Sequence, residues 1–181
     1  MNLLFHLTII ALTLSLTLGC ASTQSSKEGC LELTKKANQS FQADNWKKYI
    51  KDSKNYIESC RNVDSSESIS MAYSLMVVAF LNMKQPNDAL DSANLCISTY
   101  YANPDCHLKK ATILLQLHRF EEAKNSLNIA ERTTKEQLSV IDSYIIASRS
   151  SQERESYMTK KASYMQTLEF IELLRKIFSP K

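Results

Sequence analysis

Glycine and proline are the residue types that this 181-residue sequence most lacks: it has two glycines, at positions 19 and 29, and three prolines, at 86, 104 and 180. So few turn-forming residues exclude a chain of β-hairpins, and also a glycine-rich loop that cradles phosphate groups. Apolar residues instead recur at spacings of three and four, as in Tyr73, Met76, Val77, Phe80 and Leu81. That spacing forms one face of a helix, and the sequence therefore predicts an all-α fold.

Charged side chains are missing from the start of the chain. The first nineteen residues contain no Asp, Glu, Lys or Arg, and residues 7–18 are apolar apart from Thr and Ser. A signal-peptide core needs roughly 7–15 apolar residues, whereas a helix that spans a bilayer needs about 20. Residues 1–19 are therefore predicted to be an export signal that is removed.

The end of this signal indicates which kind it is. The sequence Leu18-Gly19-Cys20 resembles the lipobox of bacterial lipoproteins, in which a small residue precedes a cysteine that becomes lipidated. The resemblance implies that Cys20 is the lipidated first residue, that residues 20–27 are a short tether, and that Ala21 directs the protein to the periplasmic face of the outer membrane. The alternatives are a plain secretory signal with a chance cysteine, or an uncleaved anchor.

A strong excess of one charge is also missing. The net charge is +3 and the basic residues are scattered, which excludes the basic stripe of a nucleic-acid-binding protein. His107 and His118 would lie about 16 Å apart on a helix, and the adjacent Cys106 and His107 would point in different directions. Acidic residues at 121 and 122 complement the dipole of a helix start. The sequence therefore predicts a protein that is not an enzyme and holds no metal or cofactor.

Helix-start signals divide the chain into segments. Capping residues stand at Asp44, Asp64, Asn103, Thr133 and Ser150, three of them followed by Glu at the third position. These signals predict eight helices joined by short turns, at residues 28–42, 45–60, 67–83, 87–100, 104–117, 120–131, 134–149 and 152–178.

A repeat links two of these segments. Residues 86–96 align with residues 120–130 at an offset of 34, placing Ala89 on Ala123 and Ser92 on Ser126. A weaker copy lies around Ala37 and Trp46. This pattern resembles the tetratricopeptide repeat (TPR), a helix–turn–helix unit of 34 residues. The resemblance covers residues 30–135 and implies a TPR-like α-solenoid within a domain at 28–181. The last segment is expected to cap the stack, with a docking or dimerisation helix as the alternative.

The resemblance also implies a binding face, because the first helix of each TPR pair lines the inner groove. The residues at those places form an apolar strip edged by amides, which suits an extended peptide or a helix, although several could instead be core. They are Asn38, Phe41, Gln42, Val78, Leu81, Asn82, Thr112, Leu115 and Gln116. The sequence thus predicts a membrane-anchored periplasmic adaptor for a protein partner, with a carrier of a small apolar ligand as the alternative.

Four cysteines remain after Cys20, and an even number in an exported chain suggests disulfides. In an antiparallel helix pair the start of the first helix lies beside the end of the second, so Cys30 is expected to pair with Cys60. Cys96 and Cys106 flank a short turn and are expected to form the second disulfide. The alternative is that some of them are buried free thiols.

Overall fold

A computed structural model describes residues 26–178, with side chains to 177, and these residues are entirely helical and loop. Residues 1–19, Cys20 and the tether as far as residue 25 lie outside the described part. The helices are α1 (26–42), α2 (Trp46–Cys60), α3 (Ser66–Asn82), α4 (Pro86–Thr99), α5 (Pro104–Gln116), α6 (Phe120–Ala147) and α7 (Ser151–Phe178). They group into two compact units that divide between Ser65 and Ser66.

The same tight turn joins the two helices of each of the three hairpins. Its central residue has left-handed backbone, with φ of 52° at Asp44, 59° at Lys84 and 57° at His118. At Lys84 the turn is closed by two backbone hydrogen bonds: the Lys84 N–H donates to the Leu81 carbonyl and the Gln85 N–H to the Phe80 carbonyl, both at 2.9 Å. This is the Schellman ending of a helix, which usually has glycine at the left-handed position. Lys84 and His118 are 34 residues apart, which is the predicted repeat.

The helix starts agree in part with the predicted caps. The Asn103 side chain accepts from the Asp105 N–H at 3.1 Å, and Ser150 Oγ accepts from the Glu153 N–H at 3.1 Å, as expected. The prediction for Asp44 was wrong, because the cap of α2 is Asn45, and Asp44 is the left-handed turn residue. Asp64 accepts a hydrogen bond from the Tyr56 hydroxyl at 2.6 Å.

The predicted break near Thr133 does not occur, and α6 runs for 28 residues through the two helices expected at 120–131 and 134–149. The Thr133 hydroxyl donates back to the Ile129 carbonyl at 2.9 Å, and the Thr134 hydroxyl to the Ala130 carbonyl at 2.6 Å. Both threonines are buried. Each hydroxyl is therefore satisfied inside the helix and does not cap a new one, so residues 26–178 form seven helices where eight were expected.

The first unit is a hairpin of α1 and α2. Cys30 near the start of α1 is bonded to Cys60 at the end of α2, with a Cα–Cα distance of 5.7 Å. At the turn, the Phe41 ring packs edge-to-face on Trp46 and on the buried Tyr49. The disulfide therefore closes one end of the hairpin and an aromatic cluster fills the other.

The second unit stacks two hairpins and a final long helix. One core cluster joins α3, α4 and α5 through Val77, Ala89, Ala93 and Ile113. The small residues of α4, Ala89 and Ala93, are fully buried and let the neighbouring helices approach closely. A second cluster joins α5, α6 and α7, and its members are Ala111, Leu114, Leu115, Ala123, Leu127, Ala130, Ile171 and Leu174.

The last helix runs antiparallel to α6. Lys161 pairs with Asp142 at 2.7 Å, and the Tyr144 and Tyr157 rings stack with centroids 5.4 Å apart. Nearer the other end of α7, Arg175 pairs with Glu131 at 2.6 Å. α7 thus packs along α6 and adds its two buried side chains to the second core cluster.

Candidate functional site

The first helices of the two hairpins in the second unit lie side by side and are joined by polar side chains. Lys109 Nζ donates to Ser74 Oγ at 2.6 Å and to Asp105 Oδ2 at 2.5 Å. The Ser74 hydroxyl donates to the same carboxylate. Ser74 belongs to α3, whereas Asp105 and Lys109 belong to α5. This cluster therefore fixes α3 against α5 and sets the spacing of the surface that the two helices form.

Four of the predicted partner-binding residues share this surface, which we call the α3–α5 face: Val78, Asn82, Thr112 and Gln116. Val78 and Thr112 are half-buried, and Asn82 and Gln116 are exposed. The Asn82 amide donates to the Val78 carbonyl at 2.9 Å, and the Thr112 hydroxyl donates to the Leu108 carbonyl at 3.0 Å. The side chains of Asn82 and Gln116 thus lie exposed beside the half-buried Val78 and Thr112.

Leu81 and Leu115, two other predicted contacts, contribute to the core. Leu81 is partly buried against the cluster around Val77, and Leu115 is 7% exposed within the cluster that contains Ile171. Their area is therefore used mainly for folding, and Leu115 presents little surface to a partner. Leu81 and Leu115 lie next to the residues of the α3–α5 face by helical spacing. The sequence alone therefore did not distinguish these core residues from residues of the face.

Three predicted contacts belong to the first unit. Asn38 and Gln42 are exposed on α1, and Phe41 is half-buried in the aromatic cluster with Trp46 and Tyr49. Phe41 therefore has a structural role in its own hairpin. Tyr49 is almost fully buried, and this burial raises the pKa of its hydroxyl to about 12.

A second serine–lysine–aspartate cluster lies in the first unit. Ser40 Oγ donates to Asp52 Oδ2 at 2.7 Å, and Lys48 Nζ donates to both, at 2.7 Å to Ser40 and 2.8 Å to Asp52. Burial opposes the charge of Asp52, but the hydrogen bonds from Lys48 and Ser40 outweigh it and hold its pKa below the usual value.

Neither cluster is arranged to activate a nucleophile. A serine–lysine catalytic pair needs a lysine that accepts the hydroxyl proton. In both clusters the lysine donates to the serine, and the serine hydroxyl donates to the carboxylate. In each cluster the lysine ammonium and the aspartate carboxylate therefore form an ion pair. The serine hydroxyl bonds to both groups and so links its own helix to theirs.

One set of potential metal ligands lies close together within residues 26–178. Ligand atoms of Cys30, Cys60 and Asp64 are within 4.8 Å of one another. The disulfide occupies both sulfur atoms, however, and the Asp64 carboxylate accepts from the Tyr56 hydroxyl. Burial and the neighbouring Asp64 raise the pKa of Tyr56, which keeps this hydroxyl a donor. The disulfide and the hydrogen bond therefore stabilise this end of the α1–α2 hairpin.

The second disulfide has its own polar surroundings. Cys96 at the end of α4 is bonded to Cys106 at the start of α5, with a Cα–Cα distance of 5.8 Å. Both cysteine pairs are those expected from the sequence. His107 is 3% exposed, and its Nε2 lies 2.9 Å from the Tyr101 carbonyl oxygen. Because a carbonyl only accepts, Nε2 carries the hydrogen. Burial lowers the pKa of His107, and Lys110 and Arg132 lower it further.

The sequence did not indicate the polar cluster that positions the α3–α5 face. Ser74 lies 31 residues before Asp105 and 35 before Lys109, so no local spacing joins them. The Lys109 side chain is only 23% exposed, which the sequence did not indicate either. The one signal was Asp105 and Lys109 at a spacing of four, which indicates a helical ion pair but not the serine on the neighbouring helix.

None of the helices within residues 26–178 is both long and apolar enough to cross a membrane.

Comparison with known proteins shows the fold. No protein-family model and no curated sequence matches the chain. Among solved structures, it is similar to the TPR domain of Arabidopsis OM64, at a TM-score of 0.50 and 18% identity over 60% of this chain and 84% of that one. It is also similar to the TPR2B domain of yeast Sti1, solved in a pHsp70 complex, at a TM-score of 0.52 and 16% identity over 74% and 96%.

A third similar structure is the first TPR domain of human RPAP3, at a TM-score of 0.50 and 14% identity over 79% of this chain and 94% of that one. At these identities the likeness concerns the arrangement of helices. Together with the repeated left-handed turns at Lys84 and His118 and the small buried residues of α4, it shows that the chain folds as a TPR-like α-solenoid.

Proposed function

We propose that this protein is a membrane-anchored adaptor that binds a protein partner on the α3–α5 face and is held at the periplasmic side of the outer membrane through a lipid on Cys20. The observation that carries the binding part is the pairing of α3 and α5, fixed by Lys109 and Ser74, beneath a surface with exposed amides and a half-buried apolar centre. TPR-like pairs of this kind suit a peptide or a helix laid across their first helices.

The chemistry of the face favours an apolar partner segment. The nearby cation, Lys109, is already paired with Asp105, so the surface offers little net charge. Val78 and Thr112 supply apolar contact, and Asn82 and Gln116 supply polar groups that satisfy a peptide backbone. Capture should therefore depend weakly on salt, unlike binding through exposed ion pairs.

Support for the location comes from the sequence and from the cysteines. The uncharged segment 1–19 and the Leu18-Gly19-Cys20 sequence support export and lipidation. Two disulfide pairs suit an oxidising compartment such as the periplasm. A tether that ends where α1 begins, at residue 26, would span about 20 Å if extended, which would keep the first unit close to the membrane.

The experiment is photocrosslinking in cells that produce the full chain. A photoreactive residue replaces Asn82 or Gln116, which are exposed on the face, and Lys124, exposed on α6, is the matched control position. We expect one protein adduct from the first two positions and none from Lys124. Val78→Asp should abolish the adduct, and Cys20→Ser should remove both the adduct and the membrane association.

Three results would count against the proposal. Equal adducts from Asn82 and Lys124 would mean that the α3–α5 face is not selective. Membrane association that survives Cys20→Ser would refute the proposed lipid anchor but not the proposed binding at the α3–α5 face. An adduct of small mass in place of a protein would make the protein a carrier of an apolar ligand.

A further inference from the structure

The outer side of α7 carries an apolar strip near the end of the described chain. Phe170, Leu173 and Ile177 are 43%, 51% and 61% exposed, although each is a large apolar side chain. Their spacing of three and then four residues places them in one line along the helix. We call these three residues the α7 strip. Leaving such a contiguous line in water is unfavourable, and it marks a contact surface.

The α7 strip lies on a different side of the helix from the residues that attach α7 to the domain. Ile171 and Leu174 are buried in the cluster shared with α5 and α6, and Arg175 pairs with Glu131 of α6. The other first-of-pair helices, α3 and α5, each pack against a following helix, α4 and α6 respectively. α7 packs on α6 and keeps its strip exposed, so the strip is where a further helix would fit.

Two opposite charges flank the same edge of this strip. In heptad terms Phe170 and Ile177 occupy a positions, Leu173 a d position, and Glu169 and Lys176 the two g positions. Both charged side chains are exposed, and within residues 26–178 neither forms an ion pair. One edge of the strip therefore carries one acidic and one basic side chain, seven residues apart, and both are available to pair with an opposite charge.

We infer that the α7 strip binds the α7 strip of a second copy of this chain in an antiparallel pair. Reversing one helix against the other about a two-fold axis brings Glu169 of each copy opposite Lys176 of its partner copy, so a single surface supplies two ion pairs. Phe170 and Leu173 of one copy then contact Phe170 and Leu173 of the other copy, and an Ile177 side chain lies at each end of the contact. A parallel pair would instead set Glu169 against the edge that holds Leu174, which leaves the charge unpaired.

The pair is expected to be weak, because three apolar residues per copy cover far less than the roughly 800 Å² per partner of a stable interface. A covalent trap in cells that produce the full chain is therefore the suitable assay. A photoreactive residue replaces Leu173, and Met158, also on α7 and 54% exposed but away from the strip, is the matched control position. We expect a covalent product of two copies from position 173 and none from position 158.

Charge reversal tests the antiparallel geometry. Glu169→Lys and Lys176→Glu should each lower the yield of the two-copy product by at least about threefold, because each places like charges together. The double variant Glu169→Lys with Lys176→Glu should restore the yield, and its recovery also shows that the single variants are not merely misfolded. A yield that the single reversals leave unchanged, a yield that the double variant fails to restore, or an adduct with a different protein would overturn the inference. These outcomes are independent of Cys20 and of the α3–α5 face.

Discussion

Replacing Lys84 by glycine should stabilise the second unit. Lys84 is exposed, has φ of 59° and closes the turn between α3 and α4. Left-handed backbone costs a residue with a Cβ atom roughly 1–2 kcal/mol, and glycine avoids this cost. Glycine also loses more conformational entropy on folding, by roughly 0.5–1 kcal/mol. The difference leaves an expected gain of about 0.5–1 kcal/mol in the free energy of unfolding, or about 4 °C in melting temperature per kcal/mol for a unit of this size.

The assay is urea unfolding of the full chain followed by far-ultraviolet circular dichroism. Lys124→Gly is the matched control, because Lys124 is an exposed lysine inside α6 of the same unit. Ordinary helical backbone at Lys124 means that glycine should lower its stability by about 1 kcal/mol. The two lysine-to-glycine changes therefore have opposite expected signs. If Lys84→Gly destabilised the unit as Lys124→Gly does, the left-handed assignment of the turn would be refuted.

The other two turns extend the test. His118 has φ of 57°, but its ring also packs on Phe120 with centroids 5.9 Å apart, and glycine would lose that contact. Asp44 has φ of 52°, and aspartate tolerates this region better than lysine does. We therefore expect both substitutions to gain less stability than Lys84→Gly.

The remaining predictions concern buried groups. His107 has a lowered pKa in the folded state, so unfolding takes up protons; stability should be full above about pH 6.5 and fall as the pH drops below it. Urea midpoints between pH 7 and 5 measure this fall, and a slope unchanged by His107→Gln would assign it to another group. Removing the Cys30–Cys60 disulfide by double alanine substitution should cost about 3–4 kcal/mol, and removing Cys96–Cys106, with a separation of 10, about 2.5–3 kcal/mol. Reversal of that order would mean that strain, not loop length, controls both.

Much of the fold could be predicted because helical spacing and side-chain caps are local signals. The apolar spacing around Val77, the Asn103-Pro104 start and the Ser150 cap all gave correct elements. The turns at Lys84 and His118 were also placed correctly, although nothing in the sequence indicated left-handed backbone there, where glycine would be the usual signal.

The failures have physical causes. Thr133 with Glu136 has the sequence of a capping box, but a threonine hydroxyl also bonds to a carbonyl of the preceding turn, and burial of Thr133 favours that choice. The candidate site was predicted from the helical face on which each residue lies, and this does not indicate how deeply each side chain is buried. Leu115 is therefore core although Gln116 beside it is exposed, and the Ser74–Lys109 contact depends on tertiary packing.

Because α6 is uninterrupted, the surface that packs on α5 and the surface that packs on α7 have a fixed orientation relative to each other around the helix axis. Its first half fits α5 through Ala123 and Leu127, and its second half meets α7 through Asp142 and Tyr144. One residue inserted at the Thr133–Thr134 step would turn everything after it by about 100° around the helix axis. Asp142 would then point away from Lys161. The length of this helix is therefore fixed at its centre, and changes of chain length within the described part are expected to be tolerated only in the connections between helices.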